Sequence, residues 1–315
     1  MLSRIAVFIL SLGLLAAALS ACSGSTVTPA GGTDPSPVQS DAPSATPFPV
    51  ASLTPTATPE PMALRVNGEG VSLAEFQAEL QQLQAALTAQ GRELSPEEQR
   101  QQVTDALVDS LLLAQGALEK GFALDDAALQ AEIDRLAGQT ASAQGQTDAE
   151  AALRDWQARH GYSEAAFRSA LWRSLASAWQ RDQIAESVPS TVEQIHARQI
   201  LTLDEASAQA ALREVRVPGV NFAAYAFRYD SLIGGDLGWF PRGYLTQPEL
   251  EAAVFALQPG EISGVIPSQV GYHILQIIAR EQRPLSPDAR RALQRAALGA
   301  WLAQRRGASE IEIIE

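Results

Sequence analysis

The sequence predicts an α+β protein, in which a helical domain is interrupted by a smaller α+β module and then resumed by a returning C-terminal helix. Three observations carry this. Helix-start signals with helical apolar spacing fill 72–187, Val188-Pro189-Ser190 breaks the pattern, and β-branched runs follow before helical spacing resumes at Ser286.

Taken in order, LRVNGEGVS sets an Asn-Gly pair between short apolar runs, the mark of a small hairpin. Ser72 with Glu75, Ser95 with Glu98 and Thr147 with Glu150 have capping-box spacing, in which hydroxyl and carboxylate satisfy free amides of a first turn. Gly121 and Gly161 stand where helices end. Val103, Leu107, Leu111 and Ala114 recur on one helix face, as do Phe167, Leu171, Leu175 and Trp179. Ser72 to Ser187 therefore reads as helical. Proline lacks an amide donor and disfavours helix at the residue before it, so a second domain opens at Val188-Pro189-Ser190. There ARQILTL reads as a strand, Asp204–Val215, Phe222–Tyr229 and Gln247–Leu257 as helices, and ISGVI and YHILQIIA as buried strands. Ser286 to Arg306 is helical again, with Pro287 in the first turn and Gly307 at the cap, and EIEII alternates like a half-buried strand. The resulting divisions are 63–190, helical; 191–281, inserted; and 282–315, a helix and strand that return to the first domain.

The N-terminus, MLSRIAVFILSLGLLAAALSAC, has one arginine, an apolar run from Ile5 to Ala18, then small residues up to the only cysteine. It reads as a secretory signal over 1–22. Leu19-Ser20-Ala21-Cys22 looks like a bacterial lipobox, which makes Cys22 the lipidation site and the membrane a partner through that anchor; an uncleaved anchor is the alternative. Either puts the remainder outside the cytoplasm, in the cell envelope. Residues 23–62, rich in Ser, Thr and Pro, cannot bury enough apolar surface to offset chain entropy and are expected to form a disordered tether. A lone cysteine allows no intramolecular disulfide. A net charge of −13 and a single lysine, Lys120, exclude nucleic acid as a partner, because binding phosphates needs clustered cations.

Ready-made catalytic motifs are missing: the sequence has no G-x-S-x-G, H-E-x-x-H or G-x-x-x-x-G-K-[ST]. Its three histidines, His160, His196 and His273, are not spaced as metal ligands, and no metal or other cofactor is expected. His160 fits a surface role at a helix C-terminus.

What remains is GGDLGWFPRG from Gly234, the A-x-F-x-L-x-x-G-E-I-S run from Ala253 to Ser263, and GYHI from Gly271. Together they resemble the parvulin family of peptidyl-prolyl isomerases, over about Glu193 to Arg280. The V-N-G-E-x-V-S-L-x-E-F run from Val66 to Phe76 resembles the N-terminal domain of SurA-type and PrsA-type foldases, extracytoplasmic chaperones with a parvulin module inserted in a helical domain. The resemblance implies a chaperone and isomerase whose partners are unfolded or partly folded exported polypeptides containing proline. A non-catalytic holdase with a degenerate parvulin domain is the alternative. Nothing in the sequence sets an oligomeric state.

Carried over by position, the resemblance implies that Leu245 and Leu250 line the floor of a proline pocket beside Phe255, that Ser268 is a hydroxyl next to it, and that His273 is the second of a family histidine pair. Gln199 stands where the first histidine is usual, with His196 as a possible substitute. The family's substrate-facing acid corresponds to Asp230, on a loop several residues shorter than usual, which could equally carry it to solvent. Gly234, Gly235 and Gly238 suit a tight turn with positive φ, Asp236 is expected to bond backbone amides there, and Trp239 and Phe240 to be core.

Overall fold

The computed structural model describes residues 60–314. The expected signal segment, Cys22 and the tether up to residue 59 lie outside them. Met62, assigned to the tether by composition, instead begins strand β1 (Met62–Val66), which pairs with β2 (Glu69–Ser72). Asn67 and Gly68 between them both have positive φ, 53° and 85°, the backbone of a two-residue hairpin turn.

Five helices follow: α1 (Leu73–Ala89), α2 (Pro96–Glu119), α3 (Asp126–Gln144), α4 (Ala149–Arg159) and α5 (Glu164–Glu186). Ser95 and Glu98 form the full reciprocal box, with the Glu98 amide donating to Ser95 Oγ at 3.2 Å and the Ser95 amide to Glu98 Oε2 at 2.8 Å. The other two expected boxes are corrected. Asp148, one residue beyond Thr147, caps α4, because its carboxylate accepts the Ala151 amide at 2.9 Å. At α1 the Ser72 hydroxyl caps as expected, but the Glu75 carboxylate turns inward to Arg173 on α5, and both side chains are buried. Gly121 and Gly161 follow α2 and α4 with positive φ.

The second part is a four-stranded antiparallel sheet in the order β4-β3-β6-β5, built from β3 (Thr191–Thr202), β4 (Asp236–Pro241), β5 (Ile266–Ser268) and β6 (Gly271–Pro284). Helices α6 (Glu205–Val215), α7 (Phe222–Ala226) and α8 (Pro248–Ala256) connect them. Two strand expectations change. ISGVI makes only an isolated bridge, Ile262 to Gln276, and the strand proper begins at Ile266. β3 starts well before ARQILTL, because polar TVEQIH pairs with β6 through Gln282, Arg283 and Pro284. Ile195, Ala197, Phe240, Leu250, Val254, Phe255, Leu275 and Ile277 form a core on the α8 face, while Ile200 and Ile274 pack with α6 and α7 on the other. Phe240 is core as expected, at 1% exposure, whereas Trp239 lies half-buried, stacked under the Arg283 guanidinium.

The chain then returns. Helix α9 (Pro287–Gly307) packs on α2 and α5, and β7 (Ile311–Ile313) pairs with β1, giving the first sheet the order β2-β1-β7. Gly116 on α2 lies against Trp301 so closely that a Cβ would sit 2.6 Å from its ring, so glycine is what lets α9 dock there. Arg306 completes the seam, donating to Asp105 at 2.9 Å and Asp109 at 2.8 Å. The expected helical part with a returning C-terminal helix and an inserted α+β module is the architecture observed.

Candidate active site

Strands β3 and β6 are neighbours in the sheet, and their register puts Gln199 opposite Leu275 and Leu201 opposite His273. Gln199 Oε1 accepts from His273 Nδ1 at 2.9 Å, and His273 Nε2 faces the Ser268 hydroxyl at 2.7 Å. An amide oxygen accepts only, so Nδ1 carries a proton, and because burial disfavours the charged ring Nε2 is left to accept from Ser268, whose one hydroxyl proton has the Gly271 carbonyl at 3.2 Å as its other acceptor. The result is an uncharged chain, Gln199 to His273 to Ser268. His273 is 3% exposed, while Gln199 and Ser268 are half-buried, so a ligand meets the chain at its ends.

Burial lowers the pKa of the His273 imidazole, an effect that the Glu249 carboxylate on α8 opposes. The sign of the pH dependence follows. As pH falls through about 6.5, unfolded chains take up a proton that the native site refuses, so stability is lost going down toward the depressed native pKa. The urea midpoint is expected to fall more in wild type than in His273→Gln as pH drops from about 7.5 to about 5. Equal falls would show that His273 does not couple to folding.

The remaining expected residues divide. Leu250 and Phe255 are buried and Leu245 is half-buried in the core cluster beside this chain, with Phe240 edge-on to Phe255 and the Arg242 guanidinium 4.4 Å above its ring. His196 is no substitute for Gln199. It pairs with Ala279, six residues along β6 from His273, or about 20 Å at strand rise, and its Nε2 is 2.8 Å from Asp236 Oδ1. Asp236 also accepts the Gly238 amide at 2.8 Å, so it holds the turn and the histidine together. His160 ends α4, stacked on Trp156, with Nδ1 donating to the Trp156 carbonyl at 2.7 Å.

Asp230 does not join the chain. Its carboxylate accepts amides of its own loop, Leu232 at 3.0 Å, Ile233 at 3.3 Å and Gly235 at 3.1 Å. Those amides hold its pKa below the ordinary value, against the opposing effect of burial. The loop reaches the site through Gly235, whose carbonyl accepts the Gln199 amide at 2.8 Å. Gly234, Gly235 and Gly238 all have positive φ, and a Cβ on Gly235 would fall 1.9 Å from the Gln199 carbonyl oxygen, so position 235 admits only glycine.

A concavity unforeseen from sequence opens among α1, α2 and α5. This cleft of about 380 Å³ has Leu83, Val103 and Leu107 as apolar walls, the Glu75–Arg173 pair at its floor and Arg181 exposed at its margin. Glu79, also lining it, has its pKa raised by burial although the Tyr162 hydroxyl donates to it at 2.6 Å. The signal available in sequence was a charge pair on two apolar helices, which spacing alone does not bring together. Among the described residues no cluster of His, Cys, Asp or Glu is arranged to hold a metal, and no helix is long and apolar enough to cross a membrane.

Comparison with known proteins finds two domain families. Residues 50–154 match the SurA-like N-terminal domain, and residues 202–279 match the PPIC-type PPIase domain. The chaperone SurA of Dechloromonas aromatica is 37% identical over 147 residues, covering 40% of this chain and 33% of that protein. The chaperone SurA of Aromatoleum aromaticum is 35% identical over 149 residues, covering 41% and 34%. The chain thus matches about a third of the length of these relatives. Among solved structures, the peptidylprolyl isomerase PrsA of Bacillus anthracis is 22% identical, with 62% of this chain and 94% of that chain covered at a TM-score of 0.36. The parvulin domain of PpiD from E. coli is 32% identical, with 29% and 90% covered at a TM-score of 0.25.

Proposed function

For a chain that carries a SurA-like N-terminal domain followed by a PPIC-type parvulin domain, we propose the function of an extracytoplasmic foldase: a peptidyl-prolyl cis-trans isomerase for X-Pro bonds of exported proteins, with chaperone activity. The observation that carries the reading is the neutral Gln199–His273–Ser268 chain beside Leu245, Leu250 and Phe255, all of them but Gln199 inside the segment matched to the PPIase domain, and Gln199 just before its first residue.

Rotation about an X-Pro bond crosses a barrier of about 20 kcal/mol because amide resonance is lost in the twisted state. No bond breaks, so no nucleophile is needed. A site lowers the barrier by gripping the proline ring on apolar side chains and offering fixed hydrogen-bond partners that fit the twisted amide better than the planar one. Leu245, the half-buried one, is assigned to the ring with Leu250 and Phe255 packed behind it as the floor, and Gln199 and Ser268, held in place by His273, to the amide. Asp230 is assigned a positioning role, shaping the loop that lies against Gln199. The cleft among α1, α2 and α5, with apolar walls over a charged floor, suits short extended segments of unfolded clients and is assigned to the chaperone activity. Cys22 is assigned the lipid that holds the protein at the membrane, the lipobox-like run before it being the support.

A protease-coupled assay on a proline peptide, run beside suppression of client aggregation, tests the reading. Acceleration above background and reduced aggregation are expected, together with acyl labelling of the wild type that Cys22→Ala loses. Absence of acceleration would remove the isomerase. Labelling that survives Cys22→Ala would remove the anchor.

A further inference from the structure

We infer that the loop 229–235 and the β5–β6 turn form an apolar rim that selects segments carrying an apolar residue next to the proline, an inference that rests on the isomerase site proposed above. Leu232 and Ile233 are 89% and 57% exposed on one side, and Leu203 and Val270 are 87% and 53% exposed on the other. A single exposed leucine is ordinary, but four large apolar side chains around one polar centre are a recognition surface.

Both sides of the rim are built onto the site. The Asp230 carboxylate gathers the amides of Leu232, Ile233 and Gly235, and the Gly234 amide donates to the Asp230 carbonyl at 3.0 Å, so the turn has a set shape with its apolar side chains outward. Gly235 rests on the backbone of Gln199, which keeps Leu232, three residues earlier, within about 11 Å of that contact. Opposite, the Val270 amide donates to Ser268 Oγ at 3.2 Å, and Leu203 follows Thr202, the ladder partner of Tyr272. The two apolar pairs therefore flank the two ends of the Gln199–His273–Ser268 chain.

The charge of the rim decides what it accepts. Residues 201–203, 229–235 and 266–272 include one ionisable acid, Asp230, and no lysine or arginine. That acid is engaged by loop amides and the rim holds no cation, so an acidic residue beside the proline would lose water with nothing to replace it and would also meet the charge of Glu249 on α8. An apolar residue there covers Leu232 and Ile233 or Val270 and Leu203 instead.

Two peptide series, varied before and after the proline with Leu, Phe, Ala, Glu and Lys, test this. In at least one series wild type is expected to show kcat/KM about tenfold higher for Leu than for Glu, and the Leu232→Ser/Ile233→Ser variant a ratio of about threefold or less. Both replaced side chains are exposed, and an unchanged circular dichroism spectrum and Tm confirm that the variant is folded. A flat profile in both wild-type series, or a Leu preference that the variant retains, overturns the inference. If wild type turns over no peptide, the isomerase reading fails separately, and the rim is read from binding of the same peptides by fluorescence anisotropy. A Leu preference erased by the double variant supports it, and unselective binding overturns it.

Discussion

Glu75→Ala is expected to destabilise the helical domain by about 3–5 kcal/mol, because it leaves the buried Arg173 guanidinium without its hydrogen-bonded carboxylate and with only the more distant charge of Glu69 near it. Glu75 and Arg173 have side-chain exposures of 5% and 6%, they lie on α1 and α5, and no other hydrogen bond from the guanidinium is present among the described residues. The loss is large against a typical domain stability of about 5–15 kcal/mol. The helix cap is not what is lost, since the Ser72 hydroxyl accepts the backbone amide of Glu75 whatever the side chain. Glu75→Leu combined with Arg173→Met separates the terms. It removes both charges and both desolvation costs, and its stability is expected to lie within about 1 kcal/mol of wild type or above it. Urea unfolding of the two variants checks this. A single variant as stable as wild type would mean that solvent reaches the guanidinium once the carboxylate is gone.

That pair also marks where the sequence stops being legible. Local signals read well: Ser95 and Glu98 form their box, and the Asn67-Gly68 turn has the positive φ that the dipeptide favours. Glu75 shows the same local spacing, yet its carboxylate goes to a residue 98 positions away, because burial rewards charge pairing over a cap the hydroxyl already supplies. β3 was underread for a related reason. Gln194 looks like a surface residue, but it is 3% exposed, with its amide donating to the carbonyls of Arg283 and Pro284 at 2.9 Å and 3.0 Å. Strand patterning treats such a buried polar residue as an interruption. At the site, Gln199 and His273 could be nominated only through motif resemblance, since their meeting depends on the β3–β6 register. The self-contained turn at Asp230 was out of reach, because a carboxylate that faces a ligand and one that gathers its own loop look alike in sequence.

His273→Ala is the sharper test of the chemistry, with an expected fall of about 10- to 100-fold in kcat/KM toward a proline peptide. In the proposed site His273 is assigned as a positioning residue, because at 3% exposure it could act on a substrate only through Gln199 and Ser268. Alanine removes both of its hydrogen bonds and leaves the Gln199 amide and the Ser268 hydroxyl to reorient into the space it vacates, so the loss belongs mainly to kcat. Stability falls too, by about 2–4 kcal/mol for lost packing and unmet polar groups, so a slow variant alone would not separate site from scaffold. His273→Gln makes that separation. Its amide can bridge Gln199 and Ser268 without a titrating ring, so turnover is expected to return to within about tenfold of wild type while any acid limb of the pH–rate profile that belongs to the imidazole disappears. A slow His273→Ala beside a recovered His273→Gln places the effect in the hydrogen-bonded chain. Equal turnover in all three folded proteins would remove His273 from the site and leave the apolar pocket as the whole of the catalytic surface.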